Sequence, residues 1–498
     1  VNLPLVTRAQ QHSKRTAIVT ADGQFSYQDL LGLSGRIATR LLDGADDLRE
    51  ARVAFLVPPG FEYVATQWGI WRAGGIAVPL CVSHPRPELE YVATNSDASI
   101  VVAHPSFEAL LRPIAEDHRL RFILTCDPPL SDVVQLPQVE ISRRALILYT
   151  SGTTGKPKGV VTAHANIQAQ VTSLVEAWEW TAGDRILHVL PLHHIHGIVN
   201  VLTCALWAGA ECHMMDKFDA DLVWDRICAG NLTLFMAVPT IYAKLIASWE
   251  KAASARQMAI SKGCAGMRLM VSGSAALPVQ VLQRWQTISG HLLLERYGMT
   301  EIGMALSNPL YGQRRAGYVG VPLPQVDVRL VDESGAPVAA ETPGEIQVKG
   351  PGVFWEYWRK PDATAKAFQD GWFCTGDLAV VEQDCYRILG RISVDIIKTG
   401  GYKVSALEIE EVLRTHPDIQ ECAVVGVADL EWGERVCGAL VLKSGCNLAL
   451  EPLRNWAKAR LAAYKVPTRI LTVEELPRNA MGKVTKPAVV QLFGSKST

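Results

Sequence analysis

Tyr149-Thr150-Ser151-Gly152-Thr153-Thr154-Gly155-Lys156-Pro157-Lys158-Gly159 follows the apolar run 145–149, and this junction of strand and loop decides how the chain is read. Its glycines let backbone N–H groups turn toward an anion, its hydroxyls donate further hydrogen bonds, and its lysines supply positive charge. That combination suits a polyphosphate. The G-x-x-x-x-G-K-[ST] spacing is absent, so this is not a Walker loop. Taken alone, such a cluster would be a polar surface loop.

Around this loop the first half of the chain alternates strands with helices. Apolar runs at 52–57 and 99–103 repeat the pattern of 145–149, and each lies between helical or turn-rich stretches. A helix with Leu30, Leu33, Ile37 and Leu41 on one face opens with Ser26 and Asp29 at capping-box spacing. This alternation predicts an α/β domain with a largely parallel sheet. Between 317 and 349 the pattern changes to short alternating strands with Pro-Leu-Pro and Glu-Ser-Gly turns, which predicts a small β-rich subdomain. Near Gly390-Arg391 it changes again, to a compact C-terminal segment with a helix expected over 452–464 and strands over 423–427 and 438–442. The division drawn is therefore 1–390 and 391–498.

At 498 residues the chain exceeds what one core usually supports, and 48% hydrophobic with 20% charged residues is ordinary globular usage. Lys+Arg at 49 against Asp+Glu at 50 leaves no basic excess for a phosphate backbone or an anionic membrane, which argues against nucleic acid as a partner. The 11 cysteines are scattered without C-x-x-C spacing and fit a reducing compartment. Residues 186–210 carry no Asp, Glu, Lys or Arg and are long enough to span a bilayer, but Pro191, four histidines and Asn200 among them favour a buried core segment carrying a site. No signal or transit peptide is visible, and a trimmed chain would have lost one.

Further motifs follow the loop in order: Tyr297-Gly298-Met299-Thr300-Glu301, Thr375-Gly376-Asp377, Gly390-Arg391 with Asp395 and Lys398, Gly400-Gly401, and Pro477-Arg478-Asn479-Ala480-Met481-Gly482-Lys483. With the loop they resemble, over essentially the whole chain, the adenylate-forming superfamily of acyl-CoA synthetases, luciferases and peptide-synthetase adenylation domains. The resemblance implies a large N-terminal domain of parallel-sheet α/β subdomains with a small β-rich subdomain, then a small mobile α+β C-terminal lid domain. It implies ATP, Mg²⁺ and CoA as the molecules handled, with no obligate protein partner. Thr150, Ser151, Gly152, Thr153, Thr154, Gly155 and Lys158 would hold the ATP phosphates, with Ser274, Ala275, Ala276, Tyr297, Gly298, Met299 and Thr300 around the nucleotide. Asp377 and Arg391 would hold the ribose, Glu301 with Thr150 the Mg²⁺, and Lys483 would be the adenylation lysine. Lys398, Gly400, Gly401 and Tyr402 would admit CoA. Position 393 is Ser where many relatives carry Asp or Lys, which leaves the hinge residue open.

The acid is suggested by Leu-Pro-Leu-His193-His194-Ile195-His196-Gly197 and Glu295-Arg296 before Tyr297. Together these resemble malonyl-CoA synthetases. An arginine in an acyl pocket is a poor host for a fatty tail and a good one for a second carboxylate, which it can grip bidentately. Malonate, with methylmalonate second, is the implied substrate. His194 joins Lys483, Glu301 and Thr150 in the catalytic set, and Arg296, His194, His196, Ile195, Met304 and Ala305 line the acyl pocket, with Arg284 as fallback partner for the distal carboxylate. The rival for Arg296 is simple pairing with Glu295 or another acid. A mitochondrial matrix or cytoplasmic setting suits malonate metabolism.

Overall fold

The computed structural model describes residues 3–127, 135–150, 156–479 and 482–494. Contact density divides the chain into two compact units. The first holds the residues up to Arg315 with Gly320–Asp327 and Val348–Phe373, and the second holds Ala316–Val319, Val328–Gln347 and the residues from Cys374 onward.

Two large sheets form the first unit. One runs Glu356–Tyr357, Lys158–Ala163, Arg144–Thr150, Ile76–Pro79, Arg52–Leu56, Ile100–Ala103, Arg121–Leu124. The five strands from Arg144–Thr150 onward are parallel. Ile76–Pro79 and Ile100–Ala103 are buried at every position, as expected of parallel strands covered on both faces, which explains why they read as unbroken apolar runs. The other sheet runs Val321–Pro322, Gly303–Ser307, Leu294–Met299, Leu269–Ser272, Leu234–Ala237, Arg185–His188, Glu211–Met214, Thr16–Val19, Gln24–Ser26. Its centre is parallel and both its edges are antiparallel.

The helix Tyr27–Leu42 begins with the expected capping box, in which Ser26 Oγ accepts the Asp29 N–H at 3.1 Å and the Asp29 carboxylate accepts the Ser26 N–H at 2.8 Å. Leu30 and Leu41 are buried, with Leu33 and Ile37 packed against the same core. The charge-free stretch is a buried core segment. It enters as the strand Arg185–His188, passes through π-helical turns His196–Thr203, and ends in the short helix Cys204–Ala208. No helix among the described residues is long and apolar enough to cross a membrane.

In the second unit the strands Ile419–Asp429 and Gly433–Leu442 pair antiparallel, and the other edge of Gly433–Leu442 takes both Ile396–Thr399, itself paired with Tyr402–Ser405, and the parallel strand Arg469–Thr472. The helices Ala406–Leu413 and Leu450–Lys458 share one apolar cluster with this sheet, and Lys486–Gly494 packs with it in another. The helix expected over 452–464 is shorter than its apolar spacing suggested. It ends at Lys458, and Arg460 and Leu461 both donate to the Ala457 carbonyl, a tight turn that tucks Leu461 into the core without further helix.

Candidate functional site

The glycine-hydroxyl loop is the tip of a hairpin. Arg144–Thr150 pairs antiparallel with Lys158–Ala163, and Thr150 lies opposite Lys158 at the last register position before the loop. Ser151, Gly152, Thr153, Thr154 and Gly155 lie outside the described residues. Both ends of the loop are held: Tyr149 donates its hydroxyl to Asn95 Oδ1 at 2.8 Å, and Tyr91 donates to the Pro157 carbonyl at 2.8 Å.

From the hairpin base a short relay reaches Glu301. Lys158 Nζ stands 4.8 Å from the centre of the Tyr357 ring, and the Tyr357 hydroxyl donates to Glu301 Oε1 at 2.9 Å. Tyr357 is there because Glu356–Tyr357 adds to the open edge of Lys158–Ala163. Sequence reasoning missed Tyr357, which lies in a two-residue strand whose partner is almost two hundred residues away. The Glu301 carboxyl group is buried, so a cation brought to it meets this carboxylate in a low-dielectric setting.

The strand Leu294–Met299 presents Arg296 beside Gly273 and Ser274. A Cβ at Gly273 would sit 2.6 Å from the guanidinium carbon, so only glycine leaves the group room. Ser274, in the left-handed region at φ 68°, points its hydroxyl to both His196 Nδ1 at 3.2 Å and Arg296 Nη2 at 3.4 Å. Strain of that kind at a non-glycine residue is held by the surrounding structure and is common at binding sites. Arg296 is 2% exposed, and its Nε and Nη1 have no hydrogen-bond partner. Burial pulls its pKa down to about 9 against the opposing charge of Glu295. The rival pairing with Glu295 does not satisfy it, since Glu295 turns its Oε1 to the Leu277 N–H at 3.0 Å while two guanidinium nitrogens stay unbonded.

Ile195, Met304 and Ala305 are buried, and the Met304 methyl carbon packs where a side chain on Gly298 would be. His194 is half-buried and stacks edge-on against His193, ring centres 5.2 Å apart. Ala275 and Ala276 lie exposed on the loop after Ser274, while Tyr297, Gly298 and Met299 are half-buried and Thr300 is buried. Arg284 is not in this group. It sits on the surface of the helix Val279–Ser289, paired with Glu250 at 2.9 Å and lying over the Trp249 ring, because its face of the helix meets the neighbouring helix Pro239–Lys251.

In the second unit Asp377 and Arg391 face each other on adjacent antiparallel strands, and both guanidinium Nε and Nη2 engage the carboxylate, at 2.9 and 3.2 Å. Gly390, at φ 130°, has no space for a side chain against Asp395, whose carboxylate accepts the Arg391 N–H at 3.0 Å. Ser393 is exposed in the turn that follows. Thr399 pairs with Tyr402, so Gly400 and Gly401, at φ 54° and 84°, form a two-residue hairpin turn that needs positive φ at both positions. Lys398 and Tyr402 are exposed beside it, Tyr402 stacked on Tyr464 at 4.3 Å.

Lys483 closes a tight loop. Its N–H donates to Asn479 Oδ1 at 3.0 Å and its carbonyl accepts the Asn479 N–H at 2.9 Å, with Gly482 at φ 74° between. Ala480 and Met481 lie outside the described residues. The loop is anchored from its far side by Lys486, whose ammonium lies 2.7 Å from Asp395 and 2.8 Å from Glu410. Burial opposes that charge, but the two carboxylates prevail and hold its pKa above the usual lysine value. Asp395 thus ties the Gly390-Arg391 turn to the Lys483 segment, a link hidden in the sequence because Lys486 reads as one more surface lysine. Lys486→Met removes the ammonium shared by buried Glu410 and half-buried Asp395 and is expected to cost about 3–5 kcal/mol, measured as a lower urea midpoint that Lys486→Arg largely restores.

Residues 5–358 match the AMP-binding enzyme family and residues 408–483 the AMP-binding enzyme C-terminal domain. The chain belongs to the AMP-binding enzyme family. It is 46% identical to a mitochondrial malonate–CoA ligase, ACSF3, of Xenopus laevis, over 99% of this chain and 92% of that one. It is 41% identical to a malonate–CoA ligase of Arabidopsis thaliana, over 94% of this chain and 84% of that one. The crystal structure of ATP-bound MatB from Rhodopseudomonas palustris superposes with a TM-score of 0.91 at 33% identity, covering 99% of each chain.

Proposed function

We propose that this chain is an AMP-forming malonate:CoA ligase that also takes methylmalonate. The observation that carries the choice of acid is Arg296, a buried guanidinium with two unbonded nitrogens in a pocket built around it. A cation left so exposed to desolvation is unfavourable until an anion arrives, and a dicarboxylate brings one carboxylate for Arg296 and another for chemistry. The relatives named malonate–CoA ligases, at 41–46% identity, support the same choice.

In the first step the free carboxylate attacks the α-phosphorus of ATP and pyrophosphate leaves. In the second the thiolate of CoA attacks the acyl carbonyl and AMP leaves. No protein nucleophile is needed, so the protein acts by alignment and by stabilising charge that develops on the phosphoryl oxygens. Thr150 to Lys158 hold the polyphosphate, and Asp377 with Arg391 takes the ribose. Lys483 serves adenylation, while the Gly400-Gly401 hairpin with Lys398 and Tyr402 admits the thiol. His194 and His196 line the acyl pocket with Ile195, Met304 and Ala305. A single buried carboxylate such as Glu301, with hydroxyls at Thr150, suits Mg²⁺, which keeps most of its shell from phosphates and water. Bound there, the ion supplies Lewis-acid stabilisation of phosphoryl charge.

A joint between 390 and 391 lets the C-terminal residues serve each step in turn. A mitochondrial setting is favoured by the relatives' printed names, with cytoplasm the alternative. Pyrophosphate release with malonate, methylmalonate, succinate, acetate and octanoate tests the assignment. Malonate is expected to lead by at least tenfold over acetate and octanoate, and a lead by either of those removes the choice of acid.

A further inference from the structure

Residues 351–358 run from the helix His164–Ala177 to the strand Lys158–Ala163, and they are pinned at both ends. Asn166 and Gln170, one helical turn apart, hold the first end. Asn166 Nδ2 donates to the Pro351 and Val353 carbonyls, both at 2.9 Å, and Gln170 Nε2 donates to the Gly352 carbonyl at 2.7 Å. The Gln170 amide also packs against Gly303, at φ 64°, where a Cβ would lie 2.2 Å from the amide carbon. One side chain thus touches both this segment and the turn that carries Glu301. At the far end the Trp355 N–H donates to the Val161 carbonyl at 2.8 Å and the Trp358 N–H to the Gly159 carbonyl at 2.7 Å, which sets Glu356–Tyr357 as an edge strand. Between the two ends the Phe354 N–H donates to the Glu301 carbonyl at 2.7 Å, and the Tyr357 hydroxyl to Glu301 Oε1 at 2.9 Å. The segment therefore holds Glu301 by backbone and by carboxylate.

Tyr357 is buried, its ring centre is 4.8 Å from that of Phe354, and its N–H donates to Thr364 Oγ1 at 3.0 Å. Its ring takes Lys158 Nζ over one face, at 4.8 Å from the centre, while its hydroxyl meets Glu301. A lysine and a carboxylate left facing each other in a low-dielectric site attract strongly, and an ion pair between them would have to break before metal or phosphate could bind. Among the described residues Lys158 forms no ion pair. We propose that Tyr357 is a positioning residue for the cation site: its hydroxyl fixes the Glu301 carboxylate and its ring seats Lys158, keeping the two opposite charges separate until metal and phosphate arrive. A hydrogen bond to a ligating carboxylate fixes its orientation before the ion comes, and losing such a partner typically costs about 10–100-fold in metal affinity. The face of the ring holds the ammonium by its quadrupole and leaves its donors free for phosphate. This inference rests on the assignment of Glu301 to Mg²⁺ made above.

Binding of α,β-methylene-ATP to the intact chain, by calorimetry without acid or CoA, tests both roles of Tyr357 and does not depend on the choice of acid. Tyr357→Phe keeps the ring and loses the hydroxyl. Its Kd in Mg²⁺ is expected to rise about 10–100-fold, with the Kd in EDTA within about threefold of wild type. Equal weakening in Mg²⁺ and EDTA, or none in either, overturns the positioning role. Tyr357→Leu loses the ring as well, so Lys158 turns to Glu301, and its Kd in EDTA is expected to rise at least fivefold above that of Tyr357→Phe. In the Glu301→Gln background, where no carboxylate can capture the lysine, Tyr357→Leu is expected to change the EDTA Kd by less than about twofold, a coupling that a double-mutant cycle isolates. The same change in both backgrounds overturns the separation of charges. Glu301→Gln alone distinguishes the two levels of the argument. If Mg²⁺ strengthens binding as much in Glu301→Gln as in wild type, the cation site itself falls and Tyr357 with it; if Glu301→Gln loses that gain and Tyr357→Phe keeps it, the cation site stands and only Tyr357 falls.

Discussion

Arg296→Met is expected to lower kcat/KM for malonate roughly 30-fold to several-thousand-fold, the effect of removing one partner of a buried charge pair worth about 2–5 kcal/mol. The same substitution is expected to raise Tm by a few degrees. Unliganded, Arg296 is buried with two nitrogens unbonded, and its pKa falls to about 9 in the folded chain, well below the ordinary arginine value. A base with a depressed pKa binds its proton more weakly folded than unfolded. Its charge therefore subtracts stability at all pH values below about 9, and that penalty fades only as pH rises toward the ordinary value. Methionine fills similar volume without charge, so stability and activity move in opposite directions. The free-enzyme profile follows the same group: malonate-dependent pyrophosphate exchange is expected to fall as pH rises through about 9 in the wild type, and Arg296→Met lacks that limb. A variant that keeps malonate activity, or loses stability along with it, removes Arg296 as the second carboxylate's partner.

Arg296 could be found in the sequence because Glu295-Arg296 stands directly before the Tyr297 motif, at the acyl pocket that the resemblance implies, where an arginine suits a second carboxylate. What surrounds it could not. Gly273-Ser274 and His196 come from two other segments, and the pairing of Leu269–Ser272 with Leu294–Met299 is what brings the first of them to Arg296. Arg284 shows the opposite failure. Its helix was recognisable, but nothing local reveals that its face meets Glu250, so a plausible second arginine is a surface ion pair. The same limit applied to the hairpin: the apolar strand before the loop was legible, while its antiparallel return at Lys158–Ala163 and the Tyr357 edge contact depend on long-range pairing. In the charge-free stretch, composition was enough to indicate burial. It carries no signal for the π-helical turns of His196–Thr203, which arise where the chain packs into the core. The motifs singled out both Asp377 and Arg391, yet their bidentate pairing is a matter of register, Asp377 opposite Arg391.

Lys483→Ala is expected to reduce malonyl-AMP formation about a hundred- to a thousandfold while leaving thioester formation from supplied malonyl-AMP and CoA within about threefold. The magnitude is that of removing one preorganised donor from developing oxyanion charge, about 2.7–4 kcal/mol. The fold should not suffer, because the loop is held by groups that the substitution spares. The backbone of Lys483 keeps both bonds to Asn479, Arg478 still donates to the Gly482 carbonyl at 2.7 Å and grips Glu421, and Lys486 still anchors the segment on Asp395 and Glu410. Lys483→Ala thus separates a charge effect from a positioning effect. Lys486→Met, which leaves the ammonium of Lys483 in place and loosens its support, should instead weaken adenylation in step with its loss of stability. If Lys483→Ala lost both half-reactions equally, its ammonium could not belong to the phosphoryl step alone. If it lost neither, the charge on the leaving pyrophosphate would have to be met by Lys158 and its hairpin.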